Sequence, residues 1–177
     1  MTKKLPQIIM AVVTLNLTIH GDPVSKARPR FGKGRVHSDP NQKRFENNVR
    51  QIAWVEMQKR RLRPSTFRTS IKMTSFFAIP KSFSKKRILE AQAGVIIPPR
   101  HDVDNLIKPI LDAIQGPHGP VLFNDSQVWH ITACKRYVDV DMVAQTKVVI
   151  QWDDGGYNCS PSRTSFSTFA VHDEQQL

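Results

Sequence analysis

Two aspartates, Asp102 and Asp104, are the residues whose type and spacing point most directly to chemistry. They stand two positions apart, so in an extended segment both carboxylates project to the same side. That arrangement favours joint capture of a divalent cation. Because the donors are oxygens, magnesium or manganese is the expected metal.

Further polar residues lie near this pair. Asp104, Lys108 and Asp112 recur at intervals of one helical turn, so they would share a face of one helix if that helix continues through Pro109. Asp125 lies in an NDSQ turn before a strand, from which it could return to the same site. Structural alternatives stay open: Asp104 could only cap the helix, Asp112 could only pair with the lysine, and Asp125 could only shape a turn. For Asp112 we favour the structural alternative.

The charge of the chain favours a polyanionic partner. It has 26 lysines and arginines against 15 aspartates and glutamates, a formal net charge of +11. Residues 153–177 hold four acids and one base, which leaves 25 bases, 11 acids and a charge of +14 upstream. The chain could simply be a soluble basic protein, but so large a charge costs self-repulsion. Nucleic acid is therefore the favoured partner, ahead of an anionic membrane.

Clustered carboxylates conflict with the binding of a polyanion, because they would repel a phosphodiester unless a cation bridged them to it. A metal site removes the conflict. Phosphodiester hydrolysis needs an activated water, charge neutralisation and a stabilised leaving oxygen, which two metal ions about 3.5–4 Å apart supply. Lys108 could add positive charge where the phosphorane develops.

A basic segment, residues 21–38, reads GDPVSKARPRFGKGRVHS. Its prolines and glycines predict a loop without regular structure. The alternative is a solvated turn, but five cations with no acid after Asp22 favour contact with phosphates. The candidate DNA-binding residues here are Lys26, Arg28, Arg30, Lys33 and Arg35.

The remaining pattern predicts an α+β domain. Alternating apolar residues predict strands over residues 14–20 and 71–79. Between them, Asp39 is a predicted N-cap, Pro40 the first helical residue and Gln42 the partner in a capping box. The helix that follows carries an apolar stripe that should face the core: Phe45, Val49, Ile52, Ala53 and Met57.

The second half predicts two helices and two strands. Ser84 caps a short helix that ends near Gly94, a candidate left-handed C-terminal position. Another helix, with a start near Asn105 or a kink at Pro109, carries the polar residues around Lys108. Strands over residues 128–137 and 142–152 should form an antiparallel pair. Beyond Trp152 we expect a polar, flexible tail.

The chain gives no sign of export or membrane insertion. Cys134 and Cys159 lack zinc-ligand spacing and suit a reducing cytoplasm. The apolar N-terminal stretch contains Pro6 and Asn16 and lacks a small-residue cleavage site, which argues against a signal peptide. No stretch has membrane-spanning length.

Several motifs together resemble the RusA-like Holliday-junction resolvases. They are DVDNLIK at residues 102–108, LDA at 111–113 and NDSQV at 124–128. The likeness extends more loosely to the PVSKARPRF segment at residues 23–31, to Lys135-Arg136-Tyr137 and to the last strand. It covers roughly residues 14–152.

The resemblance implies a small α+β homodimer that nicks four-way junctions symmetrically with magnesium held by acids from each subunit. It places the metal-binding acids at Asp102, Asp104 and Asp125 and the essential lysine at Lys108. Asp112 matches a position of less certain role. The family also tends to be basic where this chain has Lys26, Arg28, Arg30, Lys135 and Arg136.

The chain departs from the family pattern at three points. Asn124 stands where a second acid is frequent, although its carbonyl could still ligate a metal. His101 replaces a frequent proline. The turn over residues 116–120 is lengthened, which leaves the reach of Asp125 into the site open.

These inferences give one leading hypothesis. Residues 1–152 form a RusA-like nuclease domain, a mixed sheet of about four strands with helices packed on it, and residues 153–177 form the tail. The domain resolves four-way junctions in DNA recombination and repair as a magnesium-dependent endonuclease, with manganese as a substitute metal, in the cytoplasm of a bacterium or encoded by a phage. The alternatives are a non-catalytic nucleic-acid-binding protein and a nuclease of flaps or other branched DNA.

Overall fold

The structure is a computed structural model that describes residues 12–27, 30–32, 35–37, 39–117, 119–139 and 142–153. Of the segments 30–32 and 35–37 it describes the backbone. The predicted tail lies outside these ranges except for Asp153, which ends the last strand. The predicted α+β class with a four-stranded mixed sheet is confirmed.

The main sheet has the order β1-β6-β4-β5. Its strands are β1 (Val12–His20), β4 (Thr69–Phe77), β5 (Val128–Tyr137) and β6 (Gln145–Asp153). β6 pairs antiparallel with both β1 and β4, while β5 pairs parallel with β4. The strand predicted over residues 71–79 is β4, which ends at Phe77 and does not include Ile79.

The predicted pairing of the last two strands is wrong, because β4 lies between β5 and β6. The burial pattern explains the difference. β6 has buried residues along most of its length and occupies an inner position, whereas β5 exposes a run from Trp129 to Thr132 and takes the edge. A short connection made the two strands look like a hairpin, but burial of the apolar β6 residues decides the order.

Two helices form a layer on the sheet, and one of them carries Asp104, Lys108 and Asp112. α1 (Pro40–Lys59) packs against β1, and α3 (Val103–Ile114) packs against β5 and α1. Val49, Ala53 and Met57 of the predicted α1 stripe are buried, and Phe45 and Ile52 pack partly buried against the core. The short helix α2 (Lys85–Gln92) is capped by Ser84 as predicted, and Gly94 has φ +78°.

The start of α1 differs from prediction in one detail. Asp39 is the N-cap and its carboxylate accepts the Asn41 amide at 2.7 Å. Gln42 does not complete a capping box; its Oε1 accepts the Ala27 amide at 2.9 Å and its Nε2 donates to Glu46. The side chain of Gln42 therefore ties the basic segment to α1.

The basic segment contains regular structure that the sequence did not predict. β2 (Arg30–Gly32) and β3 (Arg35–His37) pair antiparallel, with Phe31 opposite Val36. Both of these residues favour strands, which offsets the effect of the neighbouring glycines. We refer to β2 and β3 together as the basic hairpin.

Candidate active site

The acid pair stands at the N-terminus of α3. Asp102 is the N-cap residue, with extended backbone (φ −78°, ψ 145°), and its side chain makes no capping hydrogen bond. Asp104 lies in the first turn, and both aspartates are exposed. The expected extended geometry thus applies to Asp102 alone. The alternative that Asp104 caps the helix is wrong, because Asp102 occupies that position and leaves its carboxylate available to a ligand.

The turn before α3 has an unusual backbone. His101 has φ +62°, a conformation that few residues other than glycine adopt, although histidine adopts it more readily than most. Lys135 donates from Nζ to the His101 carbonyl at 2.6 Å and lies 3.5 Å from the Arg100 carbonyl. The turn that presents Asp102 is therefore held by a lysine from the neighbouring strand.

The His101 ring packs into the same support. It stacks on Phe77 with 6.1 Å between ring centroids, and its Nδ1 shares a hydrogen bond of 2.7 Å with the Ser25 hydroxyl. Burial lowers the pKa of the imidazole, Arg100 and Lys135 lower it further, and Asp102 opposes them. A neutral ring is therefore favoured here. Sequence reasoning missed Ser25 and Phe77, since neither residue type signals such a role.

The two lysines near the acid pair, Lys26 and Lys108, differ in whether they form an ion pair within the described residues. Lys108 is exposed on α3, one turn after Asp104. In the described part of the chain its amine makes no ion pair, so the expected pairing with Asp112 is wrong. Asp112 instead pairs with Lys26, with Nζ 2.5 Å from Oδ2. Lys108 is thus the cation of α3 that remains available to a substrate.

The other predicted DNA-binding residues are less fully described. Arg136 is exposed on β5, next to the engaged Lys135. Arg30 and Arg35 belong to the basic hairpin, but their side chains, together with Arg28 and Lys33, lie outside the described residues. Their contacts with DNA stay predictions.

Asp125 begins a short 3-10 turn, Asp125–Gln127, that precedes β5. The turn is closed internally: the Asn124 side chain accepts the Ser126 amide at 2.8 Å, and Gln127 completes a capping box. Gln127 also donates to the Ser65 carbonyl at 2.7 Å. The side-chain carbonyl oxygen of Asn124 therefore already accepts a hydrogen bond within the turn, whereas the Asp125 side chain is exposed.

Asp125 and the acid pair lie at opposite ends of α3. The Ile114 carbonyl, in the last turn, accepts the amides of Val121 and Leu122, and Asp125 follows shortly after. The 12 residues of the helix span roughly 18 Å. Among the described residues, accordingly, no group of three His, Cys, Asp or Glu side chains is arranged to hold a metal ion. One chain presents two of the predicted metal ligands at one place and the third at another.

Comparison with known proteins supports the motif assignment. The model of the protein family described as Endodeoxyribonuclease RusA matches residues 20–151, which include every part of the site described above. No curated protein matches the chain. Among the helices within the described ranges, none is long and apolar enough to cross a membrane.

Proposed function

Since the chain belongs to the RusA endodeoxyribonuclease family, we propose that it resolves four-way DNA junctions with magnesium held by Asp102, Asp104 and Asp125. Paired symmetric nicks would serve DNA recombination and repair. The observation that carries the proposal is the acid pair at the start of α3, exposed and uncommitted to capping, with the exposed Lys108 one turn away.

The donor chemistry fits the metal. Asp102 and Asp104 offer hard carboxylate oxygens, which magnesium prefers, and the described His and Cys residues do not join them. A bound magnesium would lower the pKa of a water and neutralise charge on the scissile phosphate. Lys108 would bind a phosphate oxygen from the same helical face and stabilise the charge that develops there. Lys135 would keep the His101 turn in place, so that Asp102 stays oriented.

The position of Asp125 favours a homodimer. With its own Asp125 at the far end of α3, each acid pair lacks a third carboxylate, and a second copy of the chain can supply it. The edge strand β5 offers a surface for that copy, since Trp129 is 66% and Ile131 43% exposed there. An unpaired strand edge with large apolar side chains is typical of a surface that another chain covers. Asp125 begins the turn that leads into this strand.

The test is cleavage of a labelled four-way junction beside linear, flap and single-stranded DNA, with magnesium, manganese or EDTA. We expect paired nicks in the junction alone, and only with metal. Asp104→Asn should reduce the rate at least about 100-fold, more than the 10–100-fold typical of an outer-shell residue, with junction binding retained. Glu90→Gln, which changes a carboxylate on α2, is the matched control and should cut like the wild type.

Other results would change the assignment. Binding of the junction without cutting under every metal condition would move the chain to the non-catalytic class. Faster cutting of flaps than of junctions would replace the substrate while keeping the chemistry. Wild-type cutting by Asp104→Asn would remove the acid pair from the mechanism.

A further inference from the structure

Pro109 lies in the interior of α3 and leaves a carbonyl without its usual helical donor. In a regular α-helix the Asn105 carbonyl would accept the amide of residue 109, but proline has no amide hydrogen. The helix nevertheless continues from Val103 to Ile114. The Asn105 carbonyl accepts the backbone amide of Lys26 instead, at 2.7 Å. The proline therefore creates an acceptor on the helix surface that a loop residue occupies.

The same loop residue makes a second contact with the helix. Its amine reaches Asp112, seven residues beyond Asn105 and thus on the same side of α3, with Nζ 2.5 Å from Oδ2. The Lys26 side chain is 41% and the Asp112 side chain 33% exposed. An ion pair this exposed contributes little stability by itself. Together with the backbone hydrogen bond, however, it holds Lys26 at two points on α3 that are about two turns apart.

The two neighbours of Lys26 are also held. Ser25 shares its hydrogen bond with His101 in the turn before α3, and the Ala27 amide donates to Gln42 on α1. Three consecutive residues thus contact three separate places, which are the turn before α3, α3 itself and α1. The basic hairpin follows them by only a few residues. Residues 25–27 therefore fix the point on the domain from which the chain continues toward the basic hairpin.

We propose that residues 25–27 are a clamp that holds the start of the segment leading to the basic hairpin against α3, next to the acid pair, and that Pro109, Lys26 and Asp112 are its positioning residues. The proposal rests on the proposed nuclease function. It gives the proline inside α3 a purpose, since a helix interior otherwise disfavours proline strongly. It also gives Lys26 the role of an anchor rather than a phosphate ligand, because its charge is already paired with Asp112.

Pro109→Ala is the direct test. The variant supplies the missing amide, which would bond to the Asn105 carbonyl within the helix and compete with Lys26. We expect the melting temperature to stay or rise, while hydrogen exchange at the Lys26 amide accelerates about tenfold or more.

Single-turnover cutting by Pro109→Ala at saturating protein should fall about tenfold, as small misplacements near a reacting group can cause. The junction Kd should change less than about twofold, because the phosphate-binding charges remain. Pro80→Ala, an exposed proline outside the helices, is the control.

A charge exchange gives a second, independent test. Lys26→Glu should slow cutting, and Lys26→Glu combined with Asp112→Lys should restore it. If the double variant stays as slow as the single one, the ion pair does not position the hairpin. Unchanged exchange at the Lys26 amide in Pro109→Ala, or wild-type cutting despite faster exchange, would overturn the proposal. A melting temperature that falls together with the cutting rate would reduce Pro109 to a packing role.

The two proposals fail in different ways. If the wild-type protein cuts no DNA, the nuclease function is refuted and the positioning role with it. Exchange at the Lys26 amide would still decide whether Pro109 creates the clamp.

Discussion

The two ends of α3 use their polar residues differently. At the N-terminal end Asp102 is in the cap position yet does not cap, and the turn before it is held from outside by Lys135 and Ser25. Near the C-terminal end, in the turn before β5, Asn124 and Gln127 satisfy each other in a closed capping box. At the first end the carboxylates make no capping hydrogen bond, and the turn is stabilised by residues from other elements. The second end is closed by its own capping box, is also tied to the Ser65 carbonyl through Gln127, and presents only Asp125.

The largest expected effect tests whether the two ends act together across subunits. Asp104→Asn and Asp125→Asn should each be inactive alone. If each site combines the acid pair of one subunit with Asp125 of the other, a mixed dimer has one intact site, and an equal mixture leaves about a quarter of all sites intact. We expect junction nicking to return on subunit exchange, measured on the labelled junction.

The control for this mixture comes from the same end of the helix. Asp102→Asn mixed with Asp104→Asn changes both copies of the acid pair, so no intact site can form and no nicking should return. Continued inactivity of the Asp104→Asn and Asp125→Asn mixture would contradict a shared site.

A smaller effect is expected from the support of the N-terminal end. Lys135→Met removes the amine that binds the His101 carbonyl and keeps an apolar stem of similar length. Cutting should fall about tenfold through misplacement of Asp102, with a modest loss of stability. Single-turnover rates and thermal melts measure the two effects, with Lys147→Met on β6 as the matched lysine control. An unchanged rate would show that the turn keeps its shape without the lysine.

The smallest effect on activity is expected at the C-terminal end. Gln127→Ala removes donors and acceptors that bind Ser65, Phe67, Phe123 and Asn124. Partly buried groups left unpaired should lower the free energy of unfolding by about 1–3 kcal/mol. Denaturant melts check this, and cutting below the melting transition should stay near the wild-type rate. A large loss of activity in a stable variant would mean that the turn places Asp125 more directly than we infer.

The sequence predicted those parts of the fold that depend on local pattern. The stripe from Phe45 to Met57, the caps at Asp39 and Ser84 and the C-terminal Gly94 are confirmed because each follows from spacing along one helix. The order of the strands was not predicted, since it depends on which strand buries more surface against the whole core. The pairing of β2 with β3 was missed because proline and glycine mask a short hairpin.

The candidate site was predicted as a set of residue types rather than as an arrangement. The motifs located Asp102, Asp104 and Lys108, and the family match covers them. The separation of Asp125 from the acid pair was not readable, because it depends on the direction in which α3 crosses the sheet. The release of the Asn105 carbonyl followed from Pro109 in principle, but its new partner lies 79 positions earlier in the chain. Contacts at that separation require the fold.

The length of α3 has a consequence for the substrate. In a twofold dimer with shared sites, the helix of each subunit begins at one cutting centre and ends at the other. It would then act as a ruler that sets the spacing of the two nicks. Insertion of one helical turn would move the centres apart by about 5.4 Å, more than the rise of one base step along DNA. The twofold axis would make the nicks symmetric, and the number of residues between Val103 and Ile114 would set the distance between them.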